Sequence, residues 1–241
     1  MRKLFLEKIR LSWYLVLLFA TFLAIKLNVP KIELSGGALA LFSVNSFLYG
    51  FYIGPIMSGQ KTRIEELTRV VRSEANALFS IMLETQKFGD RTKNEIQDLF
   101  VHYVHEVLRD RRIAQGEPEY EAIIGYCLKY DGKDKDEMMR LLDKVVANQQ
   151  NRTQFNMLMG SRVYSNEWMV MLVLFSITVT FILLINTGGV LGLNVLASFL
   201  AAALAMLIIV LIKLNTLTHK KAREIWAPLQ KLLETNFYRI D

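Results

Sequence analysis

Ser46-Phe47-Leu48-Tyr49-Gly50-Phe51-Tyr52-Ile53-Gly54 lies inside a charge-free run from 34 to 60, yet its pattern is not that of lipid filler. Phe47 and Phe51 are four residues apart, so on a helix they share one face, with Ser43 one turn earlier on the same line. Ser46, Gly50 and Gly54 form a neighbouring stripe of small residues, the kind of surface that lets a second helix backbone come close. A ring of such helices sets the two phenylalanines around a narrow central path. Whether the rings face such a path separates a protein that conducts something from one that only resides in a membrane.

Outward from this segment, a second charge-free run covers 168–212. It is too long for one membrane span, which needs roughly 20 residues. Asn186-Thr187-Gly188-Gly189 interrupts it with turn chemistry, so it divides into helices over 168–186 and 190–213. A further span runs over 12–25, short between Arg10 and Lys26 unless the flanking charges reach outward. The 241 residues are 52% hydrophobic, and the mean hydropathy is +0.26. These values and the block-like spread of apolar residues predict an all-α membrane protein with four transmembrane helices.

Met1-Arg2-Lys3 followed by an apolar run has the outline of a secretory leader, but no small-residue cleavage site follows, which predicts an uncleaved first helix. Basic residues crowd the ends of the spans at Arg2, Lys3, Lys8 and Arg10, at Lys61 and Arg63, and at Lys213, Lys220, Lys221 and Arg223. The turn at 186–189 carries no charge. By the positive-inside rule the chain is a multi-pass protein of the cell membrane with both termini and the long middle segment in the cytoplasm. Lys26 and Lys31, in the first outer loop, dissent mildly.

The middle segment, 61–166, holds basic and acidic residues in equal number. The net charge of +6 therefore sits at the membrane-flanking ends, where topology and anionic lipid account for it and nucleic acid is not implied. Ile64, Leu67, Val71, Ala75, Leu78 and Met82 recur at three- and four-residue steps and predict an amphipathic helix over 62–87, continuous with the span before it across Pro55. Further helices are expected over 92–112, 119–129 and 134–159, and an amphipathic tail helix over 214–238. The organisation read from this is a stub with two spans (1–60), a helical cytoplasmic insert between spans two and three (61–166), two more spans (167–213) and the tail (214–241).

Side chains able to carry chemistry are few. His102 and His105 lie three apart on one helix face, with Asp98 and Glu106 nearby, but two surface histidines fall short of the three or four ligands a metal needs. In a symmetric ring the same histidines, with Glu74 on the helix continuing span two, could narrow a cytoplasmic vestibule; a salt bridge to an arginine is the plainer role for Glu74. Asp131, Asp134, Asp136 and Glu137 cluster without the spacing of a calcium loop. The single cysteine, Cys127, excludes an intrachain disulfide and reads as an inert thiol. No phosphate loop, nucleophile elbow, zinc-protease motif or cofactor motif is present. Spans two to four carry no ionisable residue of the sort that marks a proton-coupled transporter.

The Ser46–Ile53 string and the span arrangement resemble the bestrophin family, whose second membrane helix carries Ser-Phe-(apolar)-(apolar)-Gly-Phe-Tyr-(apolar). The resemblance implies an ion channel built as a pentamer, with the second helix lining a pore whose neck falls on Ser43, Phe47 and Phe51. Ser43 departs from the aliphatic residue usual there and implies a wetter outer end of the neck. After Gly54 the chain has Ser58-Gly59-Gln60 where bestrophins place a basic residue and tryptophans. Arg72-Ser73-Glu74-Ala75-Asn76-Ala77-Leu78 and the stretch 152–168 are similar to the bestrophin-like bacterial membrane domain, with Ser165-Asn166-Glu167-Trp168 in place of its usual proline. The tail lacks the acidic calcium clasp of animal members, which points to a bacterial inner membrane and away from calcium gating.

The expectation is thus a passive ion channel with a hydrophobic phenylalanine neck, its partners being ions, lipid and copies of itself. No charged ring in span two decides between anions and monovalent cations. The rival reading is a non-conducting membrane scaffold or sensor whose cytoplasmic helices bind a partner.

Overall fold

A computed structural model describes residues 10–110, 113–218 and 224–234. Among these the regular structure is helical, the one other feature being an isolated bridge between Ile32 and Ile185. The helices are α1 (Leu11–Asn28), α2 (Gly36–Glu84), α3 (Asp90–Asp110), α4 (Glu117–Lys129), α5 (Lys135–Gly160), α6 (Ser165–Leu184), α7 (Leu191–Asn215) and α8 (Ala227–Glu234). Four of them, α1, α2, α6 and α7, contain stretches long and apolar enough to cross a membrane. The chain forms two compact units, one from 1–62 with 162–222, the other from 63–161 with 223–241. We call them the apolar unit and the polar bundle; α2 contributes 36–62 to the first and 63–84 to the second.

In the apolar unit α7 packs closely on α1 and on α6. Ala201, Ala202 and Ala205 are buried along α7, so these helices approach through small side chains. The α6–α7 turn is built as its residues suggest. Gly188 and Gly189 have φ of 62° and 74°, a backbone that side chains resist, and the Asn186 side chain accepts the Gly188 N–H at 2.9 Å. Helix α6 starts on Glu167, whose carboxylate accepts the Tyr164 N–H at 2.9 Å, half of a capping box. Ser165-Asn166-Glu167-Trp168 therefore starts the helix by a side-chain cap where the resembled domain uses proline.

The lysine that reads as a snorkelling flank does something else. Lys26 is fully buried, and its ammonium donates to the carbonyls of Ile182 at 3.0 Å, Leu183 at 3.2 Å and Ile185 at 2.6 Å. Those are orphan acceptors at the C-terminus of α6, the negative end of its dipole, so one buried cation satisfies three of them. Ile32 continues the staple, donating its N–H to Leu184 and accepting that of Asn186.

In the polar bundle α3, α4 and α5 pack in sequence, and α8 lies on α3. Arg63 repeats the device of Lys26: it is buried and donates to the carbonyls of Leu158 at 2.6 Å and Met159 at 3.1 Å, at the end of α5. The expected tail helix over 214–238 is corrected. Helix α7 stops at Asn215, Leu217 turns to a φ of 55°, and the Thr218 N–H returns to the Lys213 carbonyl at 3.0 Å. A 3-10 turn over Glu224–Trp226 leads into α8, where Pro228 sits in the first turn and needs no donor. The rest of that expected helix, 219–223 and 235–238, lies outside the described residues. Ile225, Trp226 and Leu229 are buried, with Trp226 edge-on to Phe155 at 5.3 Å.

Candidate functional site

The charge-free part of α2 has two unlike sides. On one, Tyr49 is 1% exposed and Ile53 3%, packed in a core with Val163, Met171, Ile208 and Leu211. The Tyr49 hydroxyl donates to the Leu204 carbonyl at 3.1 Å. One turn earlier, the Asn45 amide donates to the Leu174 carbonyl at 3.0 Å and the Thr178 hydroxyl at 2.7 Å. Large side chains and buried polar bonds thus fix the rotation of α2 against α6 and α7. The sequence reading missed Asn45, although a lone amide in a charge-free span is a visible signal of a helix–helix bond.

That rotation turns the other side outward. Phe47 and Phe51 are each 68% exposed, their rings stacked 5.9 Å apart at 18°. Ser43 is exposed, with its hydroxyl returned to the Leu39 carbonyl at 3.0 Å. The three residues of the expected neck share one exposed face. Gly50 and Gly54 are also exposed, and beyond the local backbone of their own helix nothing stands within 4 Å of where a side chain on either would begin. Ser46 is half-buried, and its hydroxyl has no hydrogen-bond partner among the described residues. The helix approach expected on this small-residue stripe is therefore not made among the described residues.

Composition separates this face from the outward face of α7, where the exposed side chains are Leu191, Leu193, Val195, Leu196, Phe199 and Leu200. On α1 and α6 the exposed apolar residues are interspersed with Ser12, Thr21 and Asn28 and with Ser176 and Thr180. On α2 the exposed arc takes in Leu41, Val44 and Leu48 but mixes them with Ser43, Gly50, Gly54, Pro55 and Ser58. Pro55 lies inside the helix and has no N–H, so the Phe51 carbonyl loses its usual donor. In hydrocarbon an unpaired carbonyl is costly, and freed backbone groups are tolerated where other protein or water meets them.

The expected cytoplasmic positions divide. His102 and His105 are both exposed on α3, and among the described residues no group of three or more metal-binding side chains comes together. Glu74 is corrected: it is 0% exposed, its carboxylate directed into the bundle and not toward a vestibule. It accepts the Tyr103 hydroxyl in a short hydrogen bond. Among the described residues it makes no direct salt bridge, and Arg152 pairs with Glu117 at 2.6 Å. The sequence contained the signal, since Glu74 falls at a core step between Val71 and Leu78.

The family model described as the bestrophin-like domain matches residues 38–217, a range that begins two turns before Phe47 and ends at Leu217, where α7 has just closed. No curated protein and no solved structure matches the chain.

Proposed function

This chain belongs to the bestrophin-like family, and from that membership we propose that it is a membrane channel conducting ions passively through a pore lined by α2 of several copies. The carrying observation is the outward pair Phe47 and Phe51, held in place by the buried Tyr49 and Ile53 behind them and bordered by serine, glycine and a carbonyl freed by proline. One copy has a single such helix and cannot enclose a path. A ring, five-fold in our reading, sets the phenylalanines around the axis and lets Gly50 and Gly54 receive the neighbouring copy. A narrow apolar ring offers water no hydrogen bonds, so it dewets and bars ions until it widens. Ser43 adds a hydroxyl at one end of that neck. The polar bundle and both termini lie in the cytoplasm, because the basic residues flank that side of the spans. Whether anions or monovalent cations pass is the variable the assay resolves.

The test uses purified full-length protein in liposomes under chloride and monovalent-cation gradients. The wild type gives a small basal flux, and Phe47→Ala/Phe51→Ala raises it tenfold or more. Intact oligomers that stay silent under every gradient would favour the scaffold reading. A monomer or dimer by mass in detergent removes the pore outright.

A further inference from the structure

The polar bundle contains a buried ionisable cluster that pore lining does not use. Glu74 lies wholly inside, on the 63–84 part of α2, and three other helices supply what faces it. From α3, the Tyr103 hydroxyl donates to Oε1. From α5 comes Arg152, itself 1% exposed, and from α4 come Tyr120 and Glu117.

Each neighbour that could neutralise Glu74 is already engaged. Arg152 donates through Nη2 to Glu117 at 2.6 Å and through Nη1 to the Gln149 side chain at 2.8 Å, and its guanidinium lies 3.8 Å over the Tyr120 ring. The Tyr120 hydroxyl donates to the Val145 carbonyl at 2.7 Å and accepts the Asn148 amide at 3.1 Å. Glu74 Oε2 and Arg152 Nε are buried without a hydrogen-bond partner among the described residues. Among the described residues an ionised Glu74 therefore has one donor and no direct cation, a poor setting for a charge and an adequate one for a neutral acid.

We propose that Glu74 is a reversible proton-binding site whose occupancy sets how firmly the 63–84 part of α2 packs against α3, α4 and α5. With the proton on, Arg152 answers to Glu117 alone. With it off, two carboxylates draw on one guanidinium and Glu74 retains only Tyr103. Burial pushes the Glu74 carboxyl up to about 7, against the lowering effects of the Tyr103 bond and Arg152 and with support from Glu117. The sign follows. The folded bundle holds this proton more tightly than the unfolded chain, so the stabilisation is complete below about 4.5 and is lost as pH rises through about 7. The proposal stands whether or not α2 lines a pore.

The experiment is pH-difference infrared spectroscopy and thermal unfolding of the full chain in nanodiscs between about pH 6 and pH 8. The wild type should lose a protonated-carboxyl band with a midpoint near pH 7, and its unfolding temperature should fall over the same interval. Glu74→Gln should lack the band and flatten the profile. Tyr103→Phe keeps the acid but removes the bond that favours its ionised form, so its midpoint should move upward. A band and pH slope unchanged in Glu74→Gln overturn the proposal. Should that variant not fold, an unmoved midpoint in Tyr103→Phe overturns it alone.

Discussion

The two sides of α2 between 36 and 60 are made from the same residue classes and do opposite things. Tyr49 and Ile53 are buried among residues of α6 and α7, whereas Phe47 and Phe51, at most six positions away, turn outward and are 68% exposed. The difference lies in the polar anchors. Asn45 and the Tyr49 hydroxyl each find an acceptor on a neighbouring helix, and an apolar surface by itself has no such rotational preference where lipid is as apolar as leucine. Exposure of a phenylalanine in a membrane helix is therefore informative only where something polar has fixed the helix's rotation.

The contrast is open to attack by substitution. The largest loss of stability is expected at Ile53→Ala, which opens a cavity in the anchored core and should cost roughly 2–4 kcal/mol, read as thermal unfolding in detergent. The paired Phe47→Ala/Phe51→Ala change should do the reverse: stability within about 0.5 kcal/mol of wild type, as for surface positions, while flux rises tenfold or more, about 1.4 kcal/mol in barrier terms. Equal destabilisation by both changes would erase the distinction between the sides. Tyr49→Phe is the mildest probe. Losing one buried hydrogen bond should cost about 1 kcal/mol and loosen the rotation of α2, giving noisier flux with no change in the ion carried.

Among the buried charged groups of the two units the same contrast is electrostatic. Lys26 and Arg63 are buried cations matched to helix-end carbonyls, whereas Glu74 is a buried acid short of partners. A carboxyl raised from 4.5 to about 7 makes the ionised form at high pH roughly 3 kcal/mol less favourable in the fold than in the unfolded chain. Glu74→Gln should therefore be the more stable protein at pH 8 and close to wild type near pH 5, as thermal unfolding at the two values would report.

Much of the architecture was readable in advance, for local reasons. Charge-free runs marked the helices long and apolar enough to span, three- and four-residue apolar steps marked the bundle helices, and Asn186-Thr187-Gly188-Gly189 marked a turn that only glycine makes easily. The outward placement of Phe47 and Phe51 was readable only as their sharing a face, because which face turns outward depends on Asn45 and Tyr49 finding partners more than a hundred residues away. Lys26 escaped for the same reason, since its carbonyl acceptors come from the far end of α6. Glu74 and Arg152 were more accessible: each replaces an apolar residue at a core step, Leu67-Val71-Glu74-Leu78 and Val145-Asn148-Arg152-Phe155, and such a replacement signals a buried polar contact. The break at Leu217 had no signal, because neither glycine nor proline marks it.

The most direct test asks whether water reaches the outward side of α2. Cys127 is buried and its thiol is pushed up to about 11 by burial, so the native protein offers little reactive background. Phe51→Cys can then be compared with Leu196→Cys on the uniformly apolar face of α7, each in liposomes with a membrane-impermeant thiol reagent. The account predicts that Phe51→Cys is modified and its ion flux blocked within the assay, while Leu196→Cys is neither. Modification of neither position, with flux untouched, would mean that Phe47 and Phe51 face lipid and that α2 lines no pore.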